Sequence, residues 1–208
     1  MKNFWKPATA AVAACALLGA VMVTSFASAA GTDAKATVGS TAPSFTLQDQ
    51  NGKPVSLSEY SGKIVVLEWT NPECPFVQRH YKEKTMTTLA DEFKPKDVVW
   101  LAINSTGTAN DASNKVWVTD NSLPYPVLND SAGEVGKSYG AKSTPDMFII
   151  GKDGKIDYSG AIDNDPTGHM AASARVNYVK QALDQIIAGS PVSTPETKSY
   201  GCGVHYAH

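Results

Sequence analysis

Ile64-Val65-Val66-Leu67-Glu68-Trp69 is an almost unbroken apolar run, and Val98 to Ile103 repeats the pattern. Runs of this kind suit strands covered on both faces. The break from Thr70 to Pro75 predicts a helix from Pro75 to Phe93, because proline fits a first turn where its missing N–H goes unused. Asn110-Asp111 caps a helix reaching Asp120, Pro126-Val127-Leu128 is a short strand, and Ser131 to Tyr139 a brief helix. Phe45-Thr46-Leu47 and Val55-Ser56-Leu57 alternate on either side of Asn51-Gly52, which marks a hairpin. Met147–Ile150 and Ile156–Tyr158 form a second strand pair about the turn Lys152-Asp153-Gly154. Val176, Val179, Leu183, Ile186 and Ile187 recur at helical spacing, with Gly189 as the stop. Strands alternating with helices predict an α/β fold, a mixed central sheet flanked by helices on both faces.

The first residues follow another logic. Lys2 and Lys6 precede an uncharged apolar run from Ala8 to Val23, and Ala27-Ser28-Ala29 offers small residues to a signal peptidase. Residues 1–29 therefore read as a signal peptide, with the mature chain starting at Ala30, exported to a periplasmic or extracellular space. The run is short for a membrane span of ~20 residues and lacks a stop-transfer cluster, so no integral membrane span is expected. Val12-Ala13-Ala14-Cys15 resembles a lipoprotein box, a minor alternative in which Cys15 carries a lipid anchor. Residues 30–190 then form one domain. Residues 191–208, rich in Pro, Ser, Thr and Gly, lose periodicity and predict a flexible surface tail carrying Cys202.

Charge excludes some partners. With 18 basic and 20 acidic residues scattered along the 208, nothing resembles a nucleic-acid footprint. Cleavage leaves two cysteines, Cys74 and Cys202, too few for a disulfide-built scaffold but enough to pair in an oxidising compartment.

Val65 to Trp69 leading into Thr70-Asn71-Pro72-Glu73-Cys74-Pro75-Phe76-Val77 resembles the active-site entry of thioredoxin-like proteins. Thr144-Pro145, followed by Met147–Ile150 and Asp153-Gly154, resembles the segment that carries their cis-proline. Order and spacing agree over residues 36–189, and the nearest match is the peroxiredoxin-like redoxins, the AhpC/TSA-related group, including a Gly201-Cys202-Gly203 tail. The resemblance implies a thioredoxin-like fold and an antioxidant-type thiol oxidoreductase, acting on disulfides or peroxides, with Cys74 as nucleophile. Its partners would be a thiol or disulfide protein, a small thiol or a peroxide, without a cofactor. Two departures matter. Val77 stands where a C-x-x-C motif has its second cysteine, and Leu67 and Asn71 replace the proline and threonine of P-x-x-x-T-x-x-C.

A cysteine at a helix start meets orphan N–H donors and the positive end of the macrodipole, which favour thiolate. Glu73 would oppose this if close, whereas Arg79 and His80 would assist it if turned inward. Glu68, six residues before Cys74, stands where thioredoxin has a buried acid, and the resemblance implies proton transfer there. The bland reading is a strand acid turned to solvent or paired with lysine. Thr144, Pro145 and Phe76 are the candidate substrate-binding residues, the proline loop presenting backbone groups to an extended peptide or small thiol. Cys202 is a possible resolving thiol, and alternatively a structural staple closing a loop worth about 4–5 kcal/mol of chain entropy. Cys202, His205 and His208 are spaced as a weak copper or zinc candidate. Together with the missing motif cysteine, that spacing motivates the alternative of a non-catalytic, thioredoxin-fold binding or metal-handling protein.

Overall fold

The computed structural model describes residues 1–2 and 36–207. The rest of the expected leader, its cleavage site, Cys15 and His208 lie outside the described residues. In chain order the elements are β1 (Thr46–Asp49), β2 (Pro54–Ser56), β3 (Ile64–Trp69), α1 (Pro75–Lys82), α2 (Thr85–Phe93), β4 (Val98–Asn104), α3 (Asp111–Asp120), β5 (Val127–Asn129), α4 (Glu134–Tyr139), β6 (Ser143–Thr144), β7 (Asp146–Ile150), β8 (Ile156–Gly160), α5 (Tyr178–Ile187) and β9 (Cys202–Gly203). Seven strands form one mixed sheet in the order β2-β1-β5-β4-β3-β7-β8, and β6 pairs with β9 in a separate two-stranded ribbon. β3 lies parallel to β4 and antiparallel to β7, so the two apolar runs become the sheet's centre.

Right-handed crossovers from β3 to β4 and from β4 to β5 advance in one direction across the sheet, which places their helices on the same face. That face buries Val66, Val77, Tyr81, Met86, Phe93, Met147, Val179 and Leu183. The opposite face buries Leu67, Trp69, Leu101, Ile103, Tyr139 and Phe148, covered by α4 and the N-terminal approach. Trp69, Tyr139 and Phe148 form a three-ring cluster there, with centroids 5.1 to 5.4 Å apart. Each fully buried large apolar side chain contributes roughly 1.5–3 kcal/mol relative to exposure. The architecture is the thioredoxin-like α/β fold expected from the resemblance.

Three expectations are corrected. The single helix from Pro75 to Phe93 is two helices, broken at Lys84, whose φ of 57° is left-handed. The reason is phase. Val77, His80 and Tyr81 bury one stripe, and an unbroken helix would next bury positions 84 and 88, which hold Lys84 and Thr88. The break advances the stripe onto Met86, Leu89, Ala90 and Phe93. Val176 lies ahead of α5 and is exposed, as is Ile187; Val179, Ala182 and Leu183 carry the buried face.

The third correction concerns residues 191–208. Instead of leaving the body, the segment is tied to it at successive points. Ser159 N donates to Pro195 O and Thr197 N to Ser159 O, each at 3.0 Å. Ala161 N donates to Thr197 Oγ1 at 2.8 Å. Beyond β9, Gly107 N donates to His205 O at 2.8 Å, and the Tyr206 hydroxyl donates to Ala141 O at 2.8 Å. The segment shows no periodicity because its backbone pairs in turn with β8, with the two-residue β6 and with loops, none of them for long enough to impose an alternation.

Candidate active site

β3 ends at Trp69, and the chain turns through Asn71 to put Cys74 at the N-cap of α1, with Pro75 in the first turn. The turn is held by Cys74 N donating to Asn71 O at 3.0 Å and Glu73 N donating to Asn71 Oδ1 at 2.9 Å. Cys74 is 1% exposed, yet its sulfur faces polar groups: the thiol donates to Thr144 O at 3.1 Å. Thr144 precedes Pro145, and the bond between them is cis. Thr144 is also the partner of Cys202 in the β6–β9 ribbon. The ribbon thereby sets the Cys202 thiol against Cys74, and both cysteines are free. Two cysteines 128 positions apart in sequence (202 less 74) thus meet at one residue, Thr144. Val77, in the place of the missing motif cysteine, is fully buried in the core, and its N–H points at Cys74.

The electrostatics separate the two thiols. Burial opposes ionisation of Cys74, but donors from the Cys202 thiol, Thr144, the Val77 N–H and the Cys202 N–H hold it below the ordinary thiol value. The Thr144 hydroxyl is buried without another partner, so it is free to serve a thiolate. Cys202 moves the other way. Burial, then the hydrogen bond and charge of Cys74, push it up to about 11. The pair therefore gives up its first proton from Cys74 and keeps the second on Cys202. Phe76 packs beside them, its ring 6.1 Å from that of Tyr200.

Glu68 is fully buried, neither turned to solvent nor paired with lysine. The Tyr81 hydroxyl donates to Oε1 at 2.8 Å and Trp100 Nε1 to Oε2 at 2.9 Å. Tyr81 in turn lies 3.1 Å from the Tyr125 hydroxyl. Burial raises the carboxyl to about 7, against the pull of those donors. Among the described residues no hydrogen bond links Glu68 to either sulfur; its connection runs through α1, which carries Cys74 at its head and Tyr81 in its last turn.

Arg79 and His80 turn away from Cys74. Arg79 Nη2 donates to Asp165 O at 2.9 Å and reaches the Tyr200 hydroxyl at 3.3 Å. His80 Nε2 lies 3.0 Å from the same hydroxyl, which donates to Asp163. Glu73 is exposed at the turn. Of the metal candidate, Cys202 faces Cys74 and His205 is exposed, while His208 lies outside the described residues; among the described residues no cluster of three ligating side chains occurs. Sequence reasoning missed Tyr81, Trp100 and Tyr125 as the partners of Glu68, and Tyr200 as the anchor two residues before Cys202. A tyrosine at Tyr81, one helical face along from Cys74, was the available signal.

A model of the AhpC/TSA family matches residues 38–159. A thiol-disulfide oxidoreductase ResA from Bacillus cereus is 32% identical over 140 residues, covering 67% of this chain and 79% of that protein. The chloroplastic peroxiredoxin Q of Sedum lineare is 34% identical over 124 residues, covering 55% of this chain and 59% of that one. In three dimensions, an uncharacterised conserved protein from Geobacillus kaustophilus aligns with a TM-score of 0.74 at 30% identity, covering 82% of this chain and 93% of that chain.

Proposed function

We propose, from the premise that the chain belongs to the AhpC/TSA family, that its thiol-dependent oxidoreductase activity runs through Cys74 and Cys202 as a single redox pair. The observation that carries this reading is the β6–β9 register, which seats Cys202 opposite Thr144, the residue whose carbonyl receives the Cys74 thiol. Cys74 is the nucleophile, because the helix N–H and neighbouring donors favour its anion. Cys202 is the resolving thiol. Its proton is held by the negative charge beside it, so oxidation of Cys74 removes that charge and frees Cys202 to ionise and attack. Thr144, Pro145 and Phe76 line the site of encounter. Glu68 holds or accepts a proton near neutrality beneath α1, through Tyr81 and Tyr125. Tyr125 and Trp100 also line an open cleft that gives this network a path to water.

The leader pattern supports export, with cleavage before Ala30 and function in an oxidising periplasmic or extracellular space. Among the described residues no helix is long and apolar enough to cross a membrane.

Mass spectrometry of the native protein under non-reducing conditions tests both parts. One equivalent of hydrogen peroxide or of a small disulfide is expected to remove two mass units through a Cys74–Cys202 bond, on a chain beginning at Ala30. A Cys74 that remains a free thiol with either oxidant would refute the thiol pair, and a mature chain that retains its first residues would refute cleavage.

A further inference from the structure

We propose that Tyr200 is a positioning residue for Cys74: by locking the approach to β9 onto α1 and onto the loop after β8, it holds the Cys202 thiol where that thiol donates to the Cys74 sulfur. The proposal rests on the contact between the two thiols described above and adds the residue that sets it.

β9 is too short to fix a side chain by itself. It has two residues and two pairings, Ser143 with Gly203 and Thr144 with Cys202. Its orientation therefore depends on what holds the chain on either side. Downstream the hold is one of shape. The Tyr206 ring fills a slot cut at Gly133 and Gly136, where an added Cβ would meet ring atoms at 2.6 and 2.7 Å, and its hydroxyl donates to Ala141 O at 2.8 Å. Val204 N adds a bond to Lys142 O at 3.2 Å. These contacts keep the segment on the body.

Upstream the hold is polar and specific. The hydroxyl of half-buried Tyr200 donates to Asp163 and lies 3.0 Å from His80 Nε2 and 3.3 Å from Arg79 Nη2. Asp163 is buried in the loop after β8, where its Oδ1 also accepts from Asp165 N at 2.9 Å. His80 and Arg79 belong to α1, the helix that starts at Cys74. One oxygen is thus tied both to the body and to the nucleophile's own helix. A single residue separates this lock from Cys202, and two steps of chain span at most about 7 Å. That residue, Gly201, has φ of +135° and passes against the Thr144 carbonyl, which a Cβ would strike. Glycine permits the close approach but resists little rotation. The orientation that Gly201 leaves free is supplied by Tyr200.

The lock keeps one form while the thiol titrates. Burial and then the Asp163 carboxylate push the Tyr200 hydroxyl up, and burial lowers His80 to about 4 against the pull of Asp163. Neither group changes form between about pH 5 and 9.

Iodoacetamide labelling of Cys74 across that range, resolved from Cys202 by peptide mass spectrometry, tests this in full-length chains kept reduced: wild type, Tyr200→Phe, Cys202→Ala and the double variant. Tyr200→Phe keeps the ring and loses only the hydroxyl. A hydrogen bond to a charged sulfur corresponds to about one pH unit in the labelling midpoint. Cys202→Ala is expected to raise the midpoint by that amount and Tyr200→Phe by about half as much or more, whereas adding Tyr200→Phe to Cys202→Ala should move it no further. Hydrogen exchange at the Val204 amide should remain as slow in Tyr200→Phe as in wild type, because Tyr206 still seats the segment. An unmoved midpoint in Tyr200→Phe would overturn the proposal. So would an equal rise with and without the Cys202 thiol, which would make Tyr200 a general support of the site. Loss of Val204 protection in Tyr200→Phe would overturn it by showing that Tyr200 seats the whole segment. A midpoint that Cys202→Ala leaves in place would instead overturn the thiol contact beneath it.

Discussion

Replacing Glu68 by glutamine removes a buried charge and leaves its shape. The wild-type carboxyl accepts from Tyr81 at 2.8 Å and Trp100 at 2.9 Å, with no solvent exposure. Glutamine fits this site in one orientation, its oxygen toward Trp100, which can only donate, and its amide toward the Tyr81 oxygen. Burial raises the folded-state pKa from 4.5 to about 7. A group raised on folding binds more protons in the folded state, so its contribution is complete below the unfolded value and is lost as pH climbs through 7. The rise corresponds to about 3 kcal/mol of stability forgone by the wild type at alkaline pH. Urea unfolding of both proteins, kept reduced, should therefore give a difference that grows between pH 4.5 and 8 and then levels. Thermal melts at pH 9 should place Glu68→Gln higher by about 6–12 °C, relative to its offset at pH 4.5. A difference that stays constant across that range would refute the buried, ionisable carboxyl and with it the proton role assigned to Glu68.

Other outcomes follow from the same site. Cys202→Ala removes the thiol that donates to Cys74 and keeps the backbone N–H beside it, so the midpoint of iodoacetamide labelling at Cys74 should move to higher pH; an unmoved midpoint would show that the Cys202 thiol does not steady the anion. His80 runs opposite to Glu68: burial lowers it to about 4, so the unfolded chain takes up a proton first and stability is lost as pH falls from 6.5 to 4. Relative to His80→Asn, the parent should lose up to about 3 kcal/mol over that interval in urea titrations, and parallel profiles would refute it. Asn110 caps α3, accepting from Ser113 N at 2.9 Å while Ser113 Oγ accepts from Asn110 N. Asn110→Ala should cost about 1 kcal/mol in urea unfolding without altering Cys74 labelling.

Composition and periodicity were enough for the α/β class, the two central strands, the Asn51-Gly52 hairpin and the α3 cap, because each depends on residues adjacent in sequence. The same reading could place Cys74 at a helix start and Glu68 inside an apolar strand. It could not say that Glu68 faces α1, since a strand covered on both faces offers no polar side by which to orient it. The phase change at Lys84 was written in the chain, but only the sheet's fixed surface turned it into a break. The encounter of Cys74 with Cys202 belonged wholly to tertiary structure. Two-residue strands have no periodicity to detect, and β6 and β9 acquire their pairing only when Tyr200 and Tyr206 seat the C-terminal segment. Local pattern specifies which surfaces each element must bury; which distant groups then come within bonding distance is decided by how those surfaces are packed.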